Sequence, residues 1–270
     1  MVKRVIHLAD IHIRTFRLHD EYKDVFKTLI KDIKVLVEGY DRDEIRVVIA
    51  GDLVHQKIII SNEQLILGTW LLRSLEQIAP VVIIAGNHDL LENNKDRMDS
   101  ITPMVQFLPD ENINYFKESK CYLDDNIVWC VYSIFENNER PDIESARAEF
   151  GSDKTYIGLF HGPLIGAKTD IGYTIDHGVE LEQFDGCDLV MCGDIHQRQK
   201  LMFNDIQIVM PSSLIQQNFG ENVSKHGFLM WDVEDKTFTE HDVENKHPLY
   251  QFKIKSLEDL ETGNEKITNL

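Results

Sequence analysis

The chain predicts an α/β fold organised on a parallel sheet. Three observations carry this expectation: apolar, largely β-branched runs of five or six residues, amphipathic helical stretches between them, and polar metal-capable side chains where the runs stop. Val5–Ala9, Ile45–Ala50 and Val81–Ala85 are the first three runs. Near-continuous apolarity, broken only by His7 and Arg46, marks strands covered on both faces. Between them lie two helices. Asp20–Val37 places Tyr22, Val25, Phe26, Leu29, Ile33 and Leu36 at near-helical spacing, and Glu63–Ile78 ends before Pro80. Strand, helix, strand, helix, strand favours right-handed crossovers, and in such sheets sites gather at the carboxyl ends of strands.

The middle of the chain is less regular. Met98–Leu108 reads as a short helix despite Pro103, and Lys120–Leu123 pairs with Asn126–Ser133 across Asp124-Asp125-Asn126. Arg140–Phe150 is a helix with Pro141 near its first turn. Thr155–Phe160 is a strand ending at His161, followed by a glycine-rich loop over residues 162–174 long enough to be functional. Asp188–Cys192 is another strand, stopped by Gly193-Asp194-Ile195-His196. Beyond Lys200, the segments Lys200–Phe203, Ile206–Met210, Gly227–Val233 and Phe238–Val243 read as antiparallel hairpins. Residues 1–245 are expected to form one domain. Tyr250–Ile254 looks strand-like, and 246–270 reads as the start of a truncated C-terminal capping region or as a tail.

The bulk numbers set the class. With 270 residues, 43% of them hydrophobic and 27% charged, the chain can bury one large α/β core or two small ones. It contains no run of 18 apolar residues, so no membrane partner is expected. The N-terminus reaches Asp10 too soon for a signal peptide. Cys121, Cys130, Cys187 and Cys192 have no C-x-x-C spacing and read as reduced core residues of a cytoplasmic protein. The formal net charge of -18 excludes a protein that grips nucleic acid by charge alone.

Five predicted strands end in metal-capable groups: Asp10 and His12, Asp52, Asn87, His161, and Asp194 with His196. Carboxylate, imidazole and amide together suit manganese, iron or zinc, and no thiolate is among them. One carboxylate bridging two cations roughly 3.5–4 Å apart is what a two-metal hydrolase needs.

Asp10-x-His12, Gly51-Asp52-x-x-His55, Gly86-Asn87-His88-Asp89, His161 and Gly193-Asp194-x-His196 resemble the motifs of calcineurin-like metallophosphoesterases. Within that family the chain is similar to the SbcD-type double-strand-break repair nuclease subunits, including those of T-even-type phages. His55, the Asn-His-Asp triplet and the late segments 210–221 and 226–232 point to that branch. The resemblance implies a two-layer β-sandwich flanked by helices. It also implies a metal-dependent DNA exonuclease and endonuclease of repair or recombination. Asp10, His12, Asp52 and His196 would hold a first divalent ion. Asp52 would bridge to a second, held by Asn87, His161 and Asp194. Mn2+ is favoured, with Mg2+, Fe2+ or Zn2+ as alternatives. His88 would be the catalytic histidine, His55 its neighbour at the phosphate, and Asp89 would orient His88. The implied partners are DNA and an SbcC-like coiled-coil ATPase subunit, with room for a homodimer. Asp194 departs from the family pattern, which has Gly-His-x-His here; a carboxylate also ligates manganese or magnesium, and adds negative charge. The competing readings are a small-molecule or protein phosphatase or phosphodiesterase of the same fold, and a catalytically silent scaffold.

Overall fold

The computed structural model describes residues 1–57, 59–106, 108 and 112–250. Four strands follow one another along the first part of the chain: β1 (Arg4–Leu8), β2 (Ile45–Ala50), β3 (Val81–Ile84) and β4 (Ile113–Phe116). Then come β5 (Cys121–Asp124), β6 (Ile127–Tyr132), β7 (Thr155–His161) and β8 (Leu189–Gly193). Two hairpins follow, β9 (Gln199–Phe203) with β10 (Ile206–Met210) and β11 (Gly227–Asp232) with β12 (Thr237–Asp242). Among the described residues these strands form two six-stranded sheets, in the orders β12-β11-β1-β2-β3-β4 and β5-β6-β7-β8-β10-β9.

Each sheet has a parallel centre. β1 to β4 run together in the first, and β6, β7, β8 and β10 in the second. The late segments pair as hairpins, and one strand of each also extends a parallel centre: β11 joins β1 antiparallel and β10 joins β8 parallel. Parallel neighbours turn their carboxyl ends the same way, so Asp10, Asp52 and Asn87 leave the first sheet on one edge. His161 and Asp194 leave the second likewise.

The central parallel strands are largely apolar because both faces are covered. Along β2, Val48 and Ala50 point into the space between the sheets, where they share a core with Trp129, Leu159, Met191 and Trp231. Val47 and Ile49 point the other way, onto helices α1 (His19–Leu36) and α2 (Asn62–Glu76). α1 contributes Tyr22, Val25, Phe26, Leu29 and Ile33, the stripe its spacing predicts. α2 begins in a capping box, with Ser61 accepting from Gln64 N and the Gln64 side chain returning to Ser61 N. The outer face of the second sheet carries a separate cluster that includes Cys121, Cys130, Cys187 and Cys192, all buried and free.

Two sequence expectations change in the middle of the chain. The Met98–Leu108 helix shrinks to a single turn, α3 (Thr102–Val105). The Asp99 carboxylate accepts from Ile101 N, Thr102 N and the Thr102 hydroxyl, which fixes the start of that turn well inside the expected span. The expected helix at Arg140 starts at Ile143 as α4 (Ile143–Phe150), with Asp142 accepting from Ser145 N. β4 was not expected at all; it is short, half-exposed and lies at an edge of its sheet. The expected strand Tyr250–Ile254 falls outside the described residues apart from Tyr250 itself. No described helix is long and apolar enough to cross a membrane.

Leu159 is fully buried between the two sheets. Leu159→Ala is expected to destabilise the fold by about 2–5 kcal/mol, read as a lower urea midpoint at constant slope. A shift within error of wild type would mean that the inter-sheet layer is not close-packed.

Candidate metal centre

The site is assembled where the carboxyl ends of both sheets meet. Beyond β1 and β2 the chain continues the ladder without being strand: Asp10 N donates to Gly51 O, His12 N to Asp52 O, Ile13 N to Leu53 O and His55 N to Ile13 O. This zips the Asp10–His12 loop to the Asp52–His55 loop. Tyr22 of α1 donates its hydroxyl to His12 O, and Gln64 of α2 donates to Ile13 O, so the helices brace the loops from behind. His161, the last residue of β7, crosses from the second sheet and is hydrogen-bonded to Ala50 O at 2.7 Å.

Four of the candidate ligands have left-handed backbones: Asp10 (φ 52°), His12 (φ 52°), Asp52 (φ 56°) and Asp194 (φ 89°). Such conformations are uncommon outside glycine and concentrate at functional sites, where the surroundings must enforce them. The motif glycines have a packing reason. A Cβ on Gly86 would collide with the Asp52 carboxylate and lie 2.6 Å from His161 Nε2; one on Gly193 would lie 2.7 Å from His161 Nδ1; one on Gly51 would lie 2.9 Å from Gly86 Cα. Three backbones therefore close around the His161 ring.

The polar atoms converge in three overlapping groups, each with its ligand atoms within 4.8 Å of one another: Asp10, His12 and His196; Asp10, Asp52 and His161; and His12, His55 and His88. His12 Nε2 lies 3.0 Å from His196 Nε2 and 3.4 Å from Asp52 Oδ2. On the other side, His161 Nε2 lies 3.4 Å from Asp52 Oδ1 and 3.9 Å from Asp194 Oδ1. Asp52 thus turns one oxygen to each group. Asp10 is shared as well, and its carboxylate accepts from Asp194 N. Asn87 Oδ1 and His161 Nε2 are buried without a hydrogen-bond partner. A carbonyl can only accept, so the Ala50 bond keeps the hydrogen on His161 Nδ1 and leaves Nε2 free as a ligand. Two orphaned acceptors, one of them 3.4 Å from the Asp52 carboxylate, fit a cation.

The electrostatics point the same way. Burial pushes Asp10 up to about 7 against the pull of His161 and His196, and burial also raises Asp194. Burial works to raise Asp52 too, but the nearby His161 outweighs it, with His12 adding to the effect, and Asp52 stays well below the usual carboxylate range. His161 is raised well above an ordinary imidazole despite burial, by Asp52 first and then Asp10 and Asp194. The carboxylates of this cleft need positive charge, and protons or cations must supply it.

His88 Nδ1 is hydrogen-bonded to His55 O, and the two rings stack with centroids 5.2 Å apart at the open side of the cluster. Burial lowers His55 to about 4, and its Nδ1 faces His12 Nδ1 at 3.4 Å. The expected role of Asp89 is corrected. Its carboxylate does not hold the His88 ring; it accepts from Gly86 N, Leu53 N and Val54 N, tying the β3 loop to the β2 loop from underneath. A fully buried carboxylate takes whichever donors are in reach, and here those are backbone. Of the basic residues near the motifs, Arg198 pairs with Asp242 and Lys57 with Glu92. The sequence reading gave no role to Glu221, whose Oε1 meets His196 Nδ1 at 2.8 Å.

A carboxylate–imidazole centre thus sits at the strand ends of a helix-flanked β-sandwich. The chain belongs to the calcineurin-like phosphoesterase family, whose model matches residues 3–198. Uncharacterized protein R555 of Acanthamoeba polyphaga mimivirus is 36% identical over 261 residues, which is 94% of this chain and 19% of that protein. The chain therefore spans about a fifth of the length of this curated relative. Among solved structures it is similar to a novel archaeal phosphodiesterase (TM-score 0.41, 13% identity, 87% of this chain and 97% of that one). It is also similar to the NAD nucleotidase of Haemophilus influenzae (TM-score 0.47, 10% identity, 99% and 56%).

Gly86→Ala should destabilise the chain by about 1–3 kcal/mol, since the new methyl overpacks the Asp52–His161 contact. Guanidinium titration measures it; a variant as stable as wild type would show that the loops have room to part.

Proposed function

We propose that the chain is a DNA phosphodiesterase working with two divalent cations, Mn2+ foremost. The observation that carries this reading is the stacked pair of imidazoles, His55 and His88, at the open side of a carboxylate cluster whose central member, Asp52, turns one oxygen to each side. Asp10, His12 and His196 are assigned to one cation, Asn87, His161 and Asp194 to the other, and Asp52 to both. Bound there, the cations would supply Lewis acidity toward a phosphoryl oxygen and acidify a water.

The chain's own part is positional. His88 keeps its Nδ1 hydrogen on His55 O, so Nε2 is the atom left for the substrate, and a proton carried there is the one it can donate. A diester's leaving alkoxide needs such a proton, and a developing phosphorane charge needs such a donor. His55, turned to His12 through Nδ1, has Nε2 left for a non-bridging oxygen. Support for DNA as the diester comes from His55, the Asn87-His88-Asp89 triplet and the late segments, all similar to the SbcD branch. With a net charge of -18, duplex affinity falls to a partner, and an SbcC-like coiled-coil ATPase is the partner this reading implies.

Side-by-side assays in Mn2+ test the proposal. Cleavage of single-stranded DNA and of a chromogenic phosphodiester is expected; rapid hydrolysis of a phosphomonoester with DNA untouched would overturn it. His88→Ser should keep metal uptake and lose about 10²–10⁴-fold in rate, the scale of a positioned acid or oxyanion donor. Metal lost together with activity would put His88 among the ligands. Asp194→Ala should weaken one ion selectively in a calorimetric titration; unchanged uptake of both would reduce Asp194 to a turn residue.

A further inference from the structure

Glu221 is deeply buried, with its side chain 1% exposed, yet it lies outside every ligand group. Its loop supplies most of what a buried carboxylate needs. Oε2 accepts from Gln217 N at 2.7 Å and from the Ser213 hydroxyl at 3.4 Å, and Oε1 accepts from Asn218 Nδ2 at 2.8 Å. These donors hold Glu221 without help from His196. The fourth contact, His196 Nδ1 to Oε1 at 2.8 Å, therefore acts on the imidazole more than on the carboxylate.

The loop that carries Glu221 is itself referenced to the site on both sides. Leu214 N donates to Asp10 O and Ser213 N to His196 O. Arg14 donates through Nη2 to Gln217 O and Gln217 Oε1, fastening the loop to the Asp10–His12 segment. Gln216 donates to Glu221 O and clamps both the N–H and the carbonyl of Leu249. So placed, Glu221 has a fixed position relative to Asp10 and His12.

We infer that Glu221 is a positioning residue of the metal centre, which holds the His196 ring with Nε2 turned to Asp10 and His12; the inference rests on the two-cation reading above. A carboxylate only accepts, so the 2.8 Å contact keeps the hydrogen on Nδ1. The ring cannot flip about its long axis without breaking that bond. Nε2 is then left 3.0 Å from His12 Nε2 and 3.9 Å from Asp10 Oδ1. A negative partner behind a ligating imidazole also increases its donor strength. His196 is more exposed than His12, with its side chain at 23% against 3%, so packing alone restrains it less.

Calorimetric Mn2+ titration of the wild-type chain and of Glu221→Gln tests this. The wild type is expected to take up two ions. Glu221→Gln should bind one of them about 10–100-fold more weakly and leave the other within error. Equal affinities in both proteins, or equal weakening of both ions with lower metal-free stability, would overturn the positioning role. A wild-type chain that takes up no second ion would overturn the two-cation reading instead. Should Glu221→Gln not fold, the zinc-loaded wild type decides by nitrogen-15 NMR. A hydrogen on His196 Nδ1 and none on Nε2 supports the inference, and a hydrogen on Nε2 refutes it.

Discussion

The bond from His161 Nδ1 to Ala50 O is the interaction on which the rest of the site depends. It reaches from the last residue of β7 to the last residue of β2, and so sets one sheet against the other at the edge where the functional loops emerge. It selects the tautomer that leaves Nε2 free beside Asp52 and Asp194. It also fixes the ring in a slot so narrow that Gly51, Gly86 and Gly193 are required around it. The apolar layer between the sheets, with Trp129, Leu159, Met191 and Trp231, makes this crossing rigid; a loose sandwich would let the ring drift from its partners.

That rigidity holds together groups that repel one another. Asp10, Asp52 and Asp89 are almost fully buried, and Asp194 is largely so. Two means offset the cost. Asp89 is satisfied by three backbone N–H groups and serves the loops rather than the chemistry. Asp10, Asp52 and Asp194 face imidazoles instead, and their charge calls for a cation. The left-handed backbones at Asp10, His12, Asp52 and Asp194 belong to the same design: strain is tolerated where hydrogen bonds, helices and a second sheet over-determine the conformation.

Much of this was legible in the sequence, for a physical reason. A buried parallel strand is apolar on both faces, so the point where it meets solvent at a functional edge is marked abruptly, by Gly51-Asp52, Gly86-Asn87 and Gly193-Asp194. The strands, the hairpins and α1 follow from the same contrast. Three things left no local trace. β4 and the turn at Thr102–Val105 are set by tertiary contacts, with Asp99 overriding the helical spacing of its neighbours. Asp89 sits next to His88 in the chain but turns beneath the loops, a direction that adjacency does not reveal. Glu221 lies 25 residues from His196, and only the folded loop brings them together. The comparison with known proteins establishes the family.

The central claim is that Asp52 is shared by two cations. Anomalous scattering from crystals soaked in Mn2+ measures this most directly. The account predicts two peaks roughly 3.5–4 Å apart. One would lie among Asp10, His12 and His196, the other among Asn87, His161 and Asp194, with Asp52 between. A single peak, or two peaks on one side of Asp52, would contradict it.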